Sequence, residues 1–119
     1  MHYGLKLKRD DKRIKKYAKQ RKQRGFDDTE TWSLDQTVAK FVLPRLKRFK
    51  EVNNGFPALL KSDEWDAILD KMIDGFECVL KRECWALEYT EDQKEWKKVD
   101  KRARDGLRLF AKHFRELWW

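Results

Sequence analysis

The sequence predicts an all-α fold: a small bundle of three long amphipathic helices, with a basic helix or arm at the N-terminus. Through most of the chain, apolar residues recur every three or four positions, which is the period of a helix that buries one face. No stretch alternates apolar and polar residues for long enough to predict a strand. The helix-breaking residues are few and fall between the periodic segments, at Gly25, at 53–57 and at 88–92.

A chain of 119 residues has the length of one domain with an appendage. Its charged content of 42% is high, but six Trp and seven Phe argue against disorder, because disordered chains are poor in aromatic residues. The first 24 residues contain 11 Lys and Arg against two Asp, a net charge of +9 in a chain of net charge +8. We therefore divide the chain into a basic arm, residues 1–24, and a nearly neutral helical bundle, residues 25–119.

The first helix is predicted over residues 10–24 of the arm. Its apolar stripe is narrow, consisting of Ile14, Tyr17 and Ala18, and lysines spaced four apart repel one another. We expect this marginal helix to become ordered on a partner or to dock lightly on the bundle. Gly25 is its expected C-terminal stop.

The second helix is predicted over residues 27–52. Asp27 and Glu30 have the spacing of a capping box at its start. Pro44 lies inside the segment and lacks the N–H that a helix needs, so we expect a kink or a break there. The apolar face of this helix comprises Trp32, Val38, Ala39, Val42, Leu46 and Phe49.

The third and fourth helices are predicted over residues 63–87 and 91–118. Ser62 is the expected N-cap of the third helix, and Thr90 with Gln93 forms a capping box for the fourth. Both segments keep the helical apolar period, so three long helices can bury one stripe each against the others. A body of this size has sufficient core without disulfides or metal.

Cys78 and Cys84 are six residues apart on one predicted helix, so they point in nearly opposite directions and do not pair. Their use indicates a reducing, intracellular location. No apolar run approaches the length of about 20 residues that a membrane span needs. His2 and His113 have no partner at catalytic or metal spacing, and no nucleotide-binding or hydrolase motif occurs. We expect a protein that is not an enzyme and uses no metal or cofactor.

The basic arm points to an anionic partner, because Lys and Arg neutralise phosphates and release counterions. One interpretation is direct contact with DNA or RNA, and the other is a solvated tail that improves solubility. The residues that would contact nucleic acid are Lys12, Arg13, Lys15, Lys16, Lys19, Arg21, Lys22 and Arg24.

A second candidate site would bind a small anionic ligand of the nucleotide type. Trp32 would stack on a base, the cations would hold phosphate, and Asp35, predicted beside the apolar face, would orient an arginine or contact the base. The residues of this predicted ligand site are Arg24, Trp32, Asp35, Arg45, Arg48 and Lys50. The alternative is structural: Asp35 forms a salt bridge or a cap. The bases of the second helix then pair with an acidic face of Asp66, Asp70 and Asp74.

The chain ends in Leu117-Trp118-Trp119, and two exposed Trp at a chain end are unfavourable in water. Either Trp118 and Trp119 fold back on the bundle, or they form the contact of a homo-oligomer.

Several motifs combine in this chain: Trp32-Ser33-Leu34-Asp35, Leu43-Pro44-Arg45-Leu46-Lys47-Arg48-Phe49, Asn54-Gly55-Phe56-Pro57, Glu64-Trp65 and Ile68-Leu69-Asp70-Lys71-Met72-Ile73. Together they resemble a family of small proteins encoded by tailed bacteriophages and prophages. The resemblance covers residues 21–118. It implies a viral gene expressed in the host bacterial cytoplasm, and it assigns no activity and no binding residue.

Three hypotheses for function follow. The first is a non-enzymatic phage accessory protein that counters host defence by sequestering a nucleotide-type ligand. The second is an accessory protein that binds nucleic acid through the basic arm. The third is an inhibitor that docks on a host protein.

Overall fold

A computed structural model describes residues 3–81 and 93–118 and confirms the all-α fold. Within these residues there is no β-strand. The helices are α1 (Ile14–Arg24), α2 (Leu34–Val52), α3 (Ser62–Leu80) and α4 (Gln93–Lys112), and two short 3-10 turns cover Asp28–Thr31 and Phe114–Glu116.

The chain divides into two compact units, Met1–Phe41 and Val42–Trp119, with the boundary inside α2. The helix continues through Pro44 without interruption, so the expected alternative of a break at this residue is wrong. The proline removes one backbone hydrogen bond, and the residues on both sides keep the helical conformation. The division of the chain after Arg24 stays a prediction.

In the first unit, α1 ends where the sequence predicts. Gly25 adopts the left-handed conformation with a φ of 86°, and its N–H donates to the carbonyl of Arg21. A residue with a Cβ is strained in this conformation, which explains the glycine at the C-terminal stop. The helix begins at Ile14, one turn after the predicted start.

The capping box of Asp27 and Glu30 is confirmed, but it caps a 3-10 turn. The Asp27 carboxylate accepts from the N–H of Thr29 at 2.9 Å, and the Glu30 carboxylate accepts from the N–H of Asp27 at 2.7 Å. The α-helix itself starts at Leu34. The predicted second helix is therefore a turn followed by a helix.

The N-terminal segment lies against this turn. The N–H of Leu5 donates to the hydroxyl oxygen of Thr29 at 2.9 Å, and the ring of Tyr3 meets the ring of Phe41 edge-on at 5.9 Å between centroids. A Cβ at Gly4 would lie 2.0 Å from the Thr29 hydroxyl oxygen, so only glycine fits there.

In the second unit, α3 and α4 pack antiparallel. Trp65 in the first turn of α3 meets His113, just beyond the end of α4, with 5.5 Å between ring centroids. Further along, Phe76 of α3 meets Phe110 of α4 at 5.0 Å. The buried apolar side chains of this unit are Leu43, Leu46, Trp65, Leu69, Met72, Phe76, Cys78 and Val99.

The helix ends of the second unit differ from those predicted. Lys61 holds the extended N-cap conformation and its side chain makes no cap hydrogen bond, so the predicted Ser62 cap is wrong. Because the backbone is already helical at Ser62, its hydroxyl is not at the capping position. α4 ends at Lys112, and a 3-10 turn follows it. The predicted end of the third helix at Leu87, the predicted Thr90 cap and Cys84 lie outside the described residues, and so do His2 and Trp119.

The backbones of α3 and α4 approach each other closely at Gly75 and Gly106. A Cβ at Gly106 would lie 2.6 Å from the Cα of Gly75 and 2.7 Å from the carbonyl oxygen of Lys71. Both atoms belong to backbone, which has little freedom to move away. The two helices therefore need glycine at this crossing.

We expect Gly106→Ala to destabilise the second unit by about 2 kcal/mol or more, because overpacking against backbone outweighs the gain in helix propensity of about 1 kcal/mol. Thermal and urea unfolding measure the change. The control is Ala67→Gly at an exposed position of α3, which should cost only the propensity difference. A Gly106→Ala protein as stable as the wild type would show that the helices do not touch here.

Candidate functional site

The helix of the basic arm is held on the first unit by a buried ring and polar contacts. The ring of Tyr17 is buried. The Gln20 amide donates to the Asp28 carboxylate at 2.8 Å and accepts from the Asp28 N–H at 2.9 Å. At the next residue, the Arg21 guanidinium lies 2.5 Å from the fully buried carboxylate of Asp27. α1 is thus an ordered helix within the first unit.

The three arginines among the predicted nucleic-acid contacts all pair with carboxylates. Arg21 reaches Asp27, as above, and Arg13 forms a two-pronged pair with Asp11 at 3.0 and 3.1 Å. Arg24 lies 2.6 Å from Asp28, and its hydrogen bond lowers the pKa of the Asp28 carboxyl. These arginines therefore already have carboxylate partners within the unit.

Three lysines of α1 form the opposite surface, which we call the lysine face: Lys15, Lys19 and Lys22. They are exposed, and they make no ion pair with any residue in the described part of the chain. At about 100° per residue, they lie on the side of α1 opposite the buried Tyr17. Around α1 the charge is therefore divided: Arg13, Arg21 and Arg24 face carboxylates, and the lysine face is directed to solvent.

The two remaining lysines of the predicted contacts lie beside this face. Lys12 is exposed and precedes the helix. Lys16 lies with its ammonium 5.8 Å from the ring centroid of Tyr17, at the flank of α1. Both add positive charge next to the lysine face.

The residues of the predicted ligand site are divided between the two units. In the first unit, Trp32 is 57% exposed and meets the ring of Tyr17 edge-on at 6.4 Å. Asp35 is exposed in the first turn of α2, so its carboxylate needs no buried partner. It lies four residues before the buried Ala39 and therefore on the same side of the helix, so its place beside the apolar face stays a prediction.

In the second unit, most bases of the predicted ligand site have carboxylate partners. Lys50, in the last turn of α2, pairs with the acidic face of α3, as the structural alternative predicted, and the hydrogen bond with Asp70 raises the pKa of Lys50. Arg45 is also engaged in an interaction. The ion pairs of this cluster are Lys50–Asp70 at 2.5 Å, Lys47–Glu77 at 3.1 Å and Arg48–Glu51 at 3.0 Å.

The acidic face of α3 is also tied to α4. Both oxygens of the Asp74 carboxylate accept from the Arg102 guanidinium, one of them at 3.0 Å from Nε. These hydrogen bonds lower the pKa of the Asp74 carboxyl. Within residues 3–81 and 93–118, no group of three or more His, Cys, Asp or Glu is placed to hold a metal ion.

A cavity of about 540 Å³ lies in the second unit beside the end of the chain. Its walls include Phe56, Trp65, Glu116 and Trp118, and Trp118 is 75% exposed. Glu116 lies 2.5 Å from Nδ1 of the buried His113 ring, which fixes the turn before Trp118. Trp119 lies outside the described residues, and a homo-oligomer through these two Trp stays a prediction.

Comparisons with protein-family models, with curated proteins and with solved structures find no match to this chain. The resemblance to phage proteins therefore stays a prediction. In the described part of the chain, no helix has both the length and the apolar content to cross a membrane.

We expect Asp27→Ala to release α1 from the first unit. The change removes a turn cap and leaves Arg21 without its buried partner, at a combined cost of about 2–4 kcal/mol. Amide hydrogen exchange of residues 14–24 should become much faster. The control is Asp35→Ala, at an exposed carboxylate of the same unit, and unchanged protection in Asp27→Ala would contradict the role of this contact.

The Asp74–Arg102 pair gives the second unit a stability component that depends on pH. Because folding lowers the Asp74 pKa from 3.8, this component is present above that value and is lost as pH falls through the folded pKa. We expect Asp74→Asn to flatten the decline of melting temperature between about pH 5 and about pH 2. Asp66→Asn, an exposed carboxylate of the same helix without an ion pair in the described residues, is the control. Equal acid profiles in both variants would contradict the assignment.

Proposed function

We propose that the protein binds the phosphate backbone of a nucleic acid through the lysine face of α1. The observation that supports this function is the division of charge around α1: Tyr17, Arg21 and Arg24 hold the helix on the unit. Lys15, Lys19 and Lys22 face solvent and have no carboxylate partner among residues 3–81 and 93–118. Exposed lysine ammonium groups of this kind can bind phosphates and release their counterions, and no ion pair of the fold has to be broken.

The arrangement of the lysine face favours a polymer over a small ligand. Seven residues of helix separate Lys15 from Lys22, a rise of about 10 Å. A double helix carries one phosphate charge per about 1.7 Å of its axis, so such a face can contact several phosphates of one polymer at once. A single nucleotide would reach only part of it.

The small-ligand hypothesis is less well supported by the same contacts. Arg24, Arg48 and Lys50 would each have to exchange a carboxylate partner for the ligand. Trp32 remains exposed, so a stacking role for it is compatible with either ligand class. We retain sequestration of a nucleotide as the second candidate, and docking on a host protein as the third.

The wider setting of this function is also a proposal. We infer a non-enzymatic accessory protein, encoded by a bacteriophage and acting in the host bacterial cytoplasm, as the sequence motifs suggest. We infer further that the helical part is a bundle of the three long helices and that the basic helix serves as its binding arm.

We expect Lys15→Gln, Lys19→Gln and Lys22→Gln together to weaken binding to a short mixed-sequence DNA duplex. Three lost phosphate contacts should reduce the slope of log affinity against log salt by about 2–3 between about 50 and 200 mM salt. Fluorescence anisotropy with labelled DNA and labelled single-stranded RNA measures both quantities.

The matched control removes the same charge elsewhere, with Lys40→Gln, Lys61→Gln and Lys81→Gln at three scattered exposed positions. If both triple variants lose binding equally, net charge and not the lysine face is responsible. If the wild type binds ATP or a cyclic dinucleotide but neither polymer, the small-ligand hypothesis replaces this one.

A further inference from the structure

The chain after residue 24 is nearly neutral as a whole, but it contains two helices of opposite net charge. α3 contains six acidic residues and one lysine, a net charge of −5. α4 contains eight basic and three acidic residues, a net charge of +5. The two helices pack on each other, so part of this charge is compensated between them and part is not.

The bases of α4 are concentrated on its solvent side. Val99, Gly106 and His113, spaced seven apart, form the buried side toward α3. Six exposed bases follow the opposite side from one end of the helix to the other, and we call them the α4 ridge: Lys94, Lys97, Lys101, Arg104, Arg108 and Lys112.

The acidic residues near the ridge neutralise only a part of it. Asp100 pairs with Arg104 at 2.8 Å, and Asp105 pairs with Lys101 at 2.8 Å. Arg102 is off the ridge, because it points toward α3 and holds Asp74. The other four ridge bases make no ion pair with residues that the structure describes: Lys94, Lys97, Arg108 and Lys112.

We propose that the α4 ridge is a second surface for the phosphate backbone of nucleic acid, on the unit that does not carry the arm. Eighteen residues separate its first and last bases, a rise of about 27 Å, along which a duplex presents many phosphates. This inference rests on the proposed function and extends it from the first unit to the second.

The composition of the ridge favours nucleic acid over other anionic partners. A helix that binds at a membrane surface inserts an apolar face between lipids, whereas the apolar side of α4 is occupied by α3. The buried centres of protein interfaces are poor in lysine and rich in aromatic side chains, and the ridge has the opposite composition. A helix surface rich in lysine and arginine suits a phosphate backbone.

The test removes three unpaired ridge charges, with Lys97→Gln, Arg108→Gln and Lys112→Gln, in the full chain. We expect affinity for the labelled DNA duplex to fall at least about tenfold at 0.1 M salt and the salt slope to decrease by about 2–3. Because these side chains are exposed, thermal unfolding should remain close to that of the wild type. Scattered changes at Lys40, Lys61 and Lys81 are again the control for net charge.

The outcomes distinguish this inference from the proposed function. A ridge variant that binds like the wild type overturns the inference, whatever the lysine-face variant does. Loss in the ridge variant alone supports the ridge and overturns the role of the lysine face. A wild type that binds no nucleic acid overturns both. Equal affinity for polyglutamate or for anionic lipid vesicles would overturn nucleic acid as the occupant of the ridge.

Discussion

The first unit depends on one buried carboxylate. Asp27 is wholly inaccessible, and its charge is compensated by the Arg21 guanidinium together with the N–H and hydroxyl of Thr29, the latter at 2.5 Å. The hydroxyl oxygen of Thr29 also accepts from the N–H of Leu5. A buried carboxylate is stable only when its oxygens have hydrogen-bond partners. The contacts around Asp27 therefore join three parts of the unit: the 3-10 turn, the helix of the arm and the N-terminal segment.

This constraint accounts for the different roles of arginine and lysine in the arm. A guanidinium has five donors in a rigid fork, which suits it to hold carboxylates at fixed geometry. Arg13 and Arg21 act in this way, against Asp11 and Asp27. Lysine is a strongly hydrated point charge on a flexible stem, and Lys19 on the outer side of α1 remains in water. The contacts of these arginines hold the other side of α1 on the unit, so the lysine face is directed to solvent.

Local patterns predict most of the helices, because periodicity, a left-handed Gly25 and the Asp27–Glu30 box act over a few residues. They do not predict that Asp35 is exposed, nor that a 3-10 turn precedes an α-helix that starts only at Leu34. Contacts between distant segments are predicted only in part, because the pairing of the second helix with the acidic face was one of two alternatives that the sequence left open. The pairs Lys50–Asp70 and Arg102–Asp74 join residues 20 and 28 apart, and only the packing of helices decides which charges meet.

The same limitation applies to net charge as a guide to function. Counted by segment, the chain beyond the arm is nearly neutral, and the net positive charge belongs to the arm. Counted by face, three of the six acids of α3 pair with Lys47, Lys50 and Arg102, while the outer side of α4 keeps more bases than Asp100 and Asp105 can compensate. An anionic polymer responds to the local surface field and not to the sum over a segment. A neutral segment can therefore present a strongly basic surface, provided that its acids are consumed by contacts inside the fold.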